Sequence, residues 1–180
     1  MGLSMESMAI EMPAVHGHPN RVPFRGVLTF VDAVSDKAPA GARGHRVRLT
    51  KKAAEAAIPS LLGMALDYSP RLDGHDTRRK IGVITRAEIV GREIEVSGFL
   101  YGRDFPEMVT EIGKERSDGV TGATGARRNG NALGMSYEIA DAVVEDIQAK
   151  VWVLNRVTFT GAAVLKRDKA AYGSTWIELD

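Results

Sequence analysis

A succession of β-prone runs most limits what this chain can fold into. Two runs, residues 81–89 and 93–100, flank Val90-Gly91-Arg92, a connection typical of a β-hairpin. Five further strand candidates follow the same apolar or alternating pattern: residues 24–31, 45–49, 135–147, 151–165 and 174–179. Only two helices are predicted, over 51–62 and 105–116, and Pro59 should kink or end the first. The pattern predicts an α+β, mainly β fold: a single-domain mixed β-barrel with peripheral helices.

The length of the chain limits its domain organisation. A chain of 180 residues fits one domain with a substantial core. Residues 1–22 hold scattered methionines, histidines and prolines without periodicity, which predicts a flexible leader. The remaining residues, 23–180, are expected to form the single folded domain.

Composition argues against several classes of partner. The 24 basic and 23 acidic residues nearly cancel, so the chain has no large net charge that would attract nucleic acid or an anionic membrane. With no cysteine, the chain has no disulfide framework and no thiolate metal site, and it suits a reducing compartment. No apolar run approaches the roughly 20 residues that span a bilayer. The sequence therefore predicts no nucleic-acid partner, no membrane partner, no metal and no cofactor.

Two residues in unusual local frames carry the candidate chemistry. His75 lies in the polar segment DGHD before a predicted strand, and Ser136 lies in GMSYE after a glycine-rich stretch. Without cysteine, a serine activated by an imidazole is the conventional hydrolytic nucleophile that remains. Each residue also has an ordinary interpretation, a solvent-exposed loop histidine and a serine on the outer face of a strand. The residues alone leave both interpretations open.

The order of the segments resembles a known family. Over residues 24–172 the chain presents, in sequence, GVLTFVD, PSLLGMAL, GHDTRRKIGVI, ITRAEIVGREIEVSGFLYG, DFPEMVTEI, LGMSYEI and VWVLNRVTFTGAAVLKRDKAAY. This set resembles the prohead (capsid maturation) serine proteases of tailed bacteriophages, which are related in fold to the herpesvirus assemblin proteases. The resemblance implies an assemblin-like barrel and a serine endopeptidase domain over residues 23–180.

The resemblance also implies roles and partners. Ser136 would be the nucleophile and His75 its general base. The expected substrates are the scaffold protein and extensions of the major capsid protein, cut inside the immature procapsid in the host cytoplasm. Because related assemblins dimerise through a helix, a second copy of this chain is also an expected partner, in a homodimer.

The third catalytic member departs from the family pattern. The family places an acidic residue, or a second histidine, on its last core strand, where this chain has Asn155 and Arg156. A guanidinium cannot accept a hydrogen bond from an imidazole, whereas the amide oxygen of Asn155 can. Asn155 is therefore the expected third member, and Glu138, two residues beyond Ser136, is the alternative carboxylate.

Two other functions remain open from the sequence. The missing acidic partner suggests a catalytically weak or inactive assemblin-fold protein that serves as a scaffold or capsid-assembly component. The arginine pairs at 78–79 and 127–128 suggest a nucleic-acid-binding β domain, although the near-zero net charge counts against it.

Overall fold

A computed structural model describes residues 8–13, 15–117 and 133–180. The helices are α1 (Lys51–Ala57) and α2 (Pro106–Ser117), and short 3₁₀ turns occupy Ile58–Leu61 and Arg167–Lys169. The strands are β1 (Met8–Ala9), β2 (Val22–Phe30), β3 (Arg46–Leu49), β4 (Ala65–Asp67), β5 (Lys80–Val90), β6 (Glu93–Leu100), β7 (Leu133–Val144), β8 (Val151–Lys166) and β9 (Trp176–Leu179).

All of these strands belong to one mixed sheet. Its main path runs β3-β8-β4-β5-β6-β2-β9, with β1 added to β5 and β7 added to β8. Strands β3 and β4 run parallel to β8, whereas β7 runs antiparallel to it. Because β7 takes one edge of β8, the two parallel strands share its other edge, and β8 becomes the centre of the arrangement.

The sheet curls, so that β7 approaches β2 and β9. The backbone N–H of Met135 donates to the Thr175 hydroxyl at 3.1 Å. A Cβ added to Gly26 on β2 would lie only 2.8 Å from the sulfur of Met135, so this glycine permits the close approach. Apolar side chains from most strands and both helices fill the interior of the half-barrel, among them Phe24, Leu28, Ile84, Ile112 and Phe159. The predicted α+β, mainly β fold is confirmed.

Local sequence signals match several elements. Strands β5 and β6 form the predicted hairpin, and Gly91 adopts a positive φ of 62° at the turn. The hydroxyl of Thr50 accepts a hydrogen bond from the Ala53 N–H at 3.2 Å and so caps α1, which ends at Ala57. None of the described helices is long and apolar enough to span a membrane.

Two regions differ from the predicted organisation. Within the predicted flexible leader, Met8 and Ala9 pair with Ala87 and Arg86, so β1 extends the edge of β5 beyond the end of β4. Strand β4 was not predicted as a strand, because its three residues find their partners far along the chain in β5 and β8. It carries Asp67 into the site described below.

Candidate catalytic site

Three neighbouring strands place Asp67 and Ser136 in one row. Ala163 on β8 pairs with Asp67 on one side and with Ser136 on the other. Neighbouring strands are about 4.8 Å apart, so the two outer Cα atoms are separated by roughly 10 Å. Residues that pair directly across strands project to the same face of the sheet. Ala163 therefore separates the aspartate from the serine in this row.

The loop from 68 to 79 brings His75 to this row. Its ring nitrogen Nδ1 lies 3.3 Å from Oδ1 of Asp67. The Asp67 side chain is fully buried, and the His75 side chain is 15% exposed. The backbone N–H of Asp76 donates to the same carboxylate oxygen at 3.3 Å. The histidine thus lies over a buried anion at the end of β4.

A backbone hydrogen bond to β8 also anchors the loop. The backbone N–H of Lys166 donates to the Leu72 carbonyl at 2.7 Å, three residues beyond Ala163 on β8. Within the loop, the Ser69 hydroxyl donates to Asp73 at 2.6 Å and accepts from its N–H at 3.0 Å. The loop is therefore held at two points: at Asp67 on β4, beside Ala163, and at Lys166, farther along β8.

The two ring nitrogens of His75 have different surroundings. Both are buried, and neither makes a hydrogen bond of full geometry with the described residues, but Nδ1 faces the Asp67 carboxylate. Buried polar atoms are costly without partners, and the Ser136 hydroxyl does not hydrogen-bond to Nε2 in this structure. If Nδ1 holds the proton, Nε2 is an acceptor for a serine hydroxyl.

The carboxyl group of Asp67 is held in its charged form. Burial raises its pKa, but the attraction of the nearby His75 and Lys80 outweighs burial and leaves the pKa below its ordinary value. Lys80 contributes through its Nζ, 3.1 Å from Oδ2. The site therefore holds a buried carboxylate that is able to orient an imidazole and stabilise its protonated form.

The structure places Asn155 away from the row that contains Asp67 and Ser136. This exposed residue lies eight positions before Ala163 on β8, which corresponds to about 26 Å along an extended strand. It cannot reach a ring that contacts Asp67. Glu138 is exposed on β7, and its carboxylate leans over Gly161 rather than over the loop, since a Cβ on Gly161 would meet Oε2 at 2.7 Å.

Sequence reasoning missed Asp67. Its signal was present: a carboxylate ends the short apolar run MAL, immediately before a polar loop that contains the candidate base. A charged residue in an apolar run is rarely buried without a partner. Among the described residues, no cluster of three or more histidine, aspartate or glutamate side chains forms a metal site.

An open cavity of about 360 Å³ adjoins the same loop. It is lined by Asp76, Arg78, Arg79 and Phe105. The carboxylate of Asp76 contacts Nε of Arg78 at 3.1 Å and Nε of Arg79 at 3.6 Å. The lining of the cavity includes Asp76, the neighbour of His75 in the chain, but not His75, Asp67 or Ser136.

Comparison with known proteins identifies no family. No protein-family model matches the chain, and no curated protein matches it. Among solved structures, the chain is similar to the KSHV protease in complex with a hexapeptide phosphonate inhibitor, with a TM-score of 0.44 and 10% sequence identity. The match covers 80% of this chain and 59% of that protease.

Proposed function

We propose that this protein is a serine endopeptidase in which Ser136, His75 and Asp67 form the catalytic triad. One observation carries the proposal: Asp67 and Ser136 flank Ala163 in a single row, and His75 lies 3.3 Å from Asp67. Asp67 replaces Asn155 as the third member, because a carboxylate both orients the ring and stabilises its positive charge.

The reaction follows from the order of these groups. The hydroxyl oxygen of Ser136 attacks the scissile carbonyl carbon while Nε2 of His75 accepts the hydroxyl proton. Asp67 holds the Nδ1–H and stays ionised, so the imidazolium is stabilised while it exists. His75 then gives the proton to the leaving amine. Water, deprotonated in turn by His75, hydrolyses the acyl-enzyme and restores Ser136.

For the biological role, we propose maturation of a bacteriophage procapsid. The ordered segments over residues 24–172 that resemble prohead proteases support this role. The substrates would be the scaffold protein and extensions of the major capsid protein, cut within the procapsid in the host cytoplasm. Incubation with the cognate scaffold protein should give discrete fragments, and an intact scaffold would contradict the role.

A serine-directed fluorophosphonate tests the chemistry. We expect stoichiometric labelling at Ser136 in the wild type, no labelling in Ser136→Ala and strongly slowed labelling in His75→Ala. Ser97→Ala, on β6, is the matched control and should label like the wild type. Labelling at another residue, or equal labelling of Ser136→Ala, would contradict the triad.

The second candidate function is a catalytically weak or inactive assembly component. Its motivation was the absence of an acidic partner, and Asp67 supplies that partner. A folded wild-type protein that resists the fluorophosphonate would favour this second function over proteolysis.

A further inference from the structure

The carboxylate of Asp67 is shared between two cationic side chains. Oδ1 faces His75 and accepts the Asp76 N–H, whereas Oδ2 accepts from Nζ of Lys80 at 3.1 Å. Lys80 is the first residue of β5 and pairs directly with Asp67 in the β4–β5 ladder. The backbone register therefore holds the ammonium group on this oxygen.

Other charged groups near Asp67 are directed elsewhere. Neighbouring β8 presents only Ala162 and Ala163 to β4. On the loop, the Asp76 carboxylate is occupied by Arg78 and Arg79, so those three charges interact mainly with one another. His75 and Lys80 are the charged or titratable side chains that contact the Asp67 carboxylate.

We propose that Lys80 is a positioning residue that fixes one oxygen of Asp67 and competes with protonated His75 for the same buried carboxylate. The proposal rests on the role of His75 as the general base. Its physical basis is that two cations compete for one buried carboxylate. A proton added to His75 meets the charge of Lys80 as well as that of Asp67.

The direction of the effect follows from this competition. Without Lys80, His75 is the remaining cationic partner of a fully buried carboxylate, so its protonated form becomes more favourable. The midpoint of the His75 titration should then move to higher pH. The acid limb of the pH profile of kcat/KM should move by the same amount, because protonated His75 cannot accept the serine proton.

The test is an NMR titration of the His75 ring in the full chain. In Lys80→Met we expect the midpoint to rise by about half a pH unit or more, the size of effect that a nearby partly screened charge produces. Lys80→Arg keeps the charge and should stay close to the wild type. Lys114→Gln removes an exposed lysine of α2 that pairs with Glu111, and it should leave the midpoint unchanged.

A second variant separates charge from packing. Lys80→Gln retains a hydrogen-bond donor without the positive charge, and it serves if Lys80→Met does not fold. We expect Lys80→Gln to raise the midpoint as well. An unchanged or lowered midpoint in the folded neutral variants, or an equal rise in Lys114→Gln, would overturn the proposal.

The titration also separates this proposal from the proposed function. It needs no turnover, so His75 can report on Lys80 in a protein that cleaves nothing. A shifted midpoint together with no labelling of Ser136 would refute the protease and leave the charge coupling standing. Labelling at Ser136 together with an unshifted midpoint would refute only the role of Lys80.

Discussion

The two halves of the β7–β8 pair differ in regularity and burial, and the proposed triad lies beside the regular half. From Leu133 to Glu138 the strands pair residue for residue, and this half contains Ser136 opposite Ala163. Beyond Glu138 the pairing shifts three times, and Asp141 adopts a positive φ of 52°. The regular half lies beside buried Asp67, whereas the irregular half is mostly exposed and carries Asn155.

The proposed triad depends on two features of the regular half, its pairing and its burial. Regular pairing on both edges of β8 sets the separation of carboxylate and nucleophile, and burial strengthens the charge interaction between Asp67 and His75. In the irregular half, the hydrogen bond between Thr158 and Asp141 is exposed. Exposed polar pairs of this kind contribute little. The following predictions test this contrast, from the largest expected effect to the smallest.

Removing the charge of Asp67 should have the largest effect. Asp67→Asn should lower the rate of cleavage and of Ser136 labelling on the order of a thousandfold, because the ring loses its orientation and its counter-charge. Asn155→Ala, in the irregular half, should stay within about twofold of the wild type. Labelling kinetics measure both, and a larger loss in Asn155→Ala would reverse the assignment of the third member.

Enlarging the residue between Asp67 and Ser136 should damage both stability and activity. Ala163 is fully buried, so Ala163→Val should destabilise by about 1–3 kcal/mol and slow labelling through displacement of its neighbours. Ala140→Val, at an exposed position of the irregular half, should change stability by less than about 0.5 kcal/mol. Urea unfolding measures the difference. Equal destabilisation by the two substitutions would mean that Ala163 is not tightly packed between Asp67 and Ser136.

Acid should weaken the fold through Asp67. The folded-state pKa of Asp67 lies below its ordinary value of 3.8, so its stabilising contribution is complete above about pH 5. The contribution is lost as the pH falls through 3.8 and then through the lowered pKa. The difference in unfolding free energy between the wild type and Asp67→Asn should therefore shrink from pH 5 to pH 3. With Asn155→Ala, a surface control that removes no titratable group, the difference should stay flat.

The elements that sequence could predict depend on local signals. The β5–β6 hairpin follows from strand-prone runs around Gly91, and α1 follows from its Thr50 cap. The site depends instead on non-local pairing. Asp67 shares a row with Ser136 only because β4 pairs with β8, which lies almost one hundred residues later in the chain. Three residues carry too little periodicity to reveal that pairing.

The position of Asn155 has a related cause. The resemblance to the prohead proteases suggested a partner on the last core strand, but β8 is sixteen residues long and Asn155 lies near its opposite end. A one-dimensional pattern does not specify which end of a long strand faces the nucleophile. The register with β7, interrupted by three shifts, decides that question. His75 and Ser136 were chosen from their local sequence and from the family resemblance, and their catalytic roles stay predictions.

A crystal structure of the protein after reaction with a fluorophosphonate tests the central claim most directly. The account predicts a covalent adduct on the Ser136 oxygen, Nε2 of His75 within about 3 Å of the adduct or of that oxygen, and Nδ1 hydrogen-bonded to Asp67. An adduct on another residue would contradict the account. So would a His75 ring more than about 8 Å from Ser136, or a ring held by a residue other than Asp67.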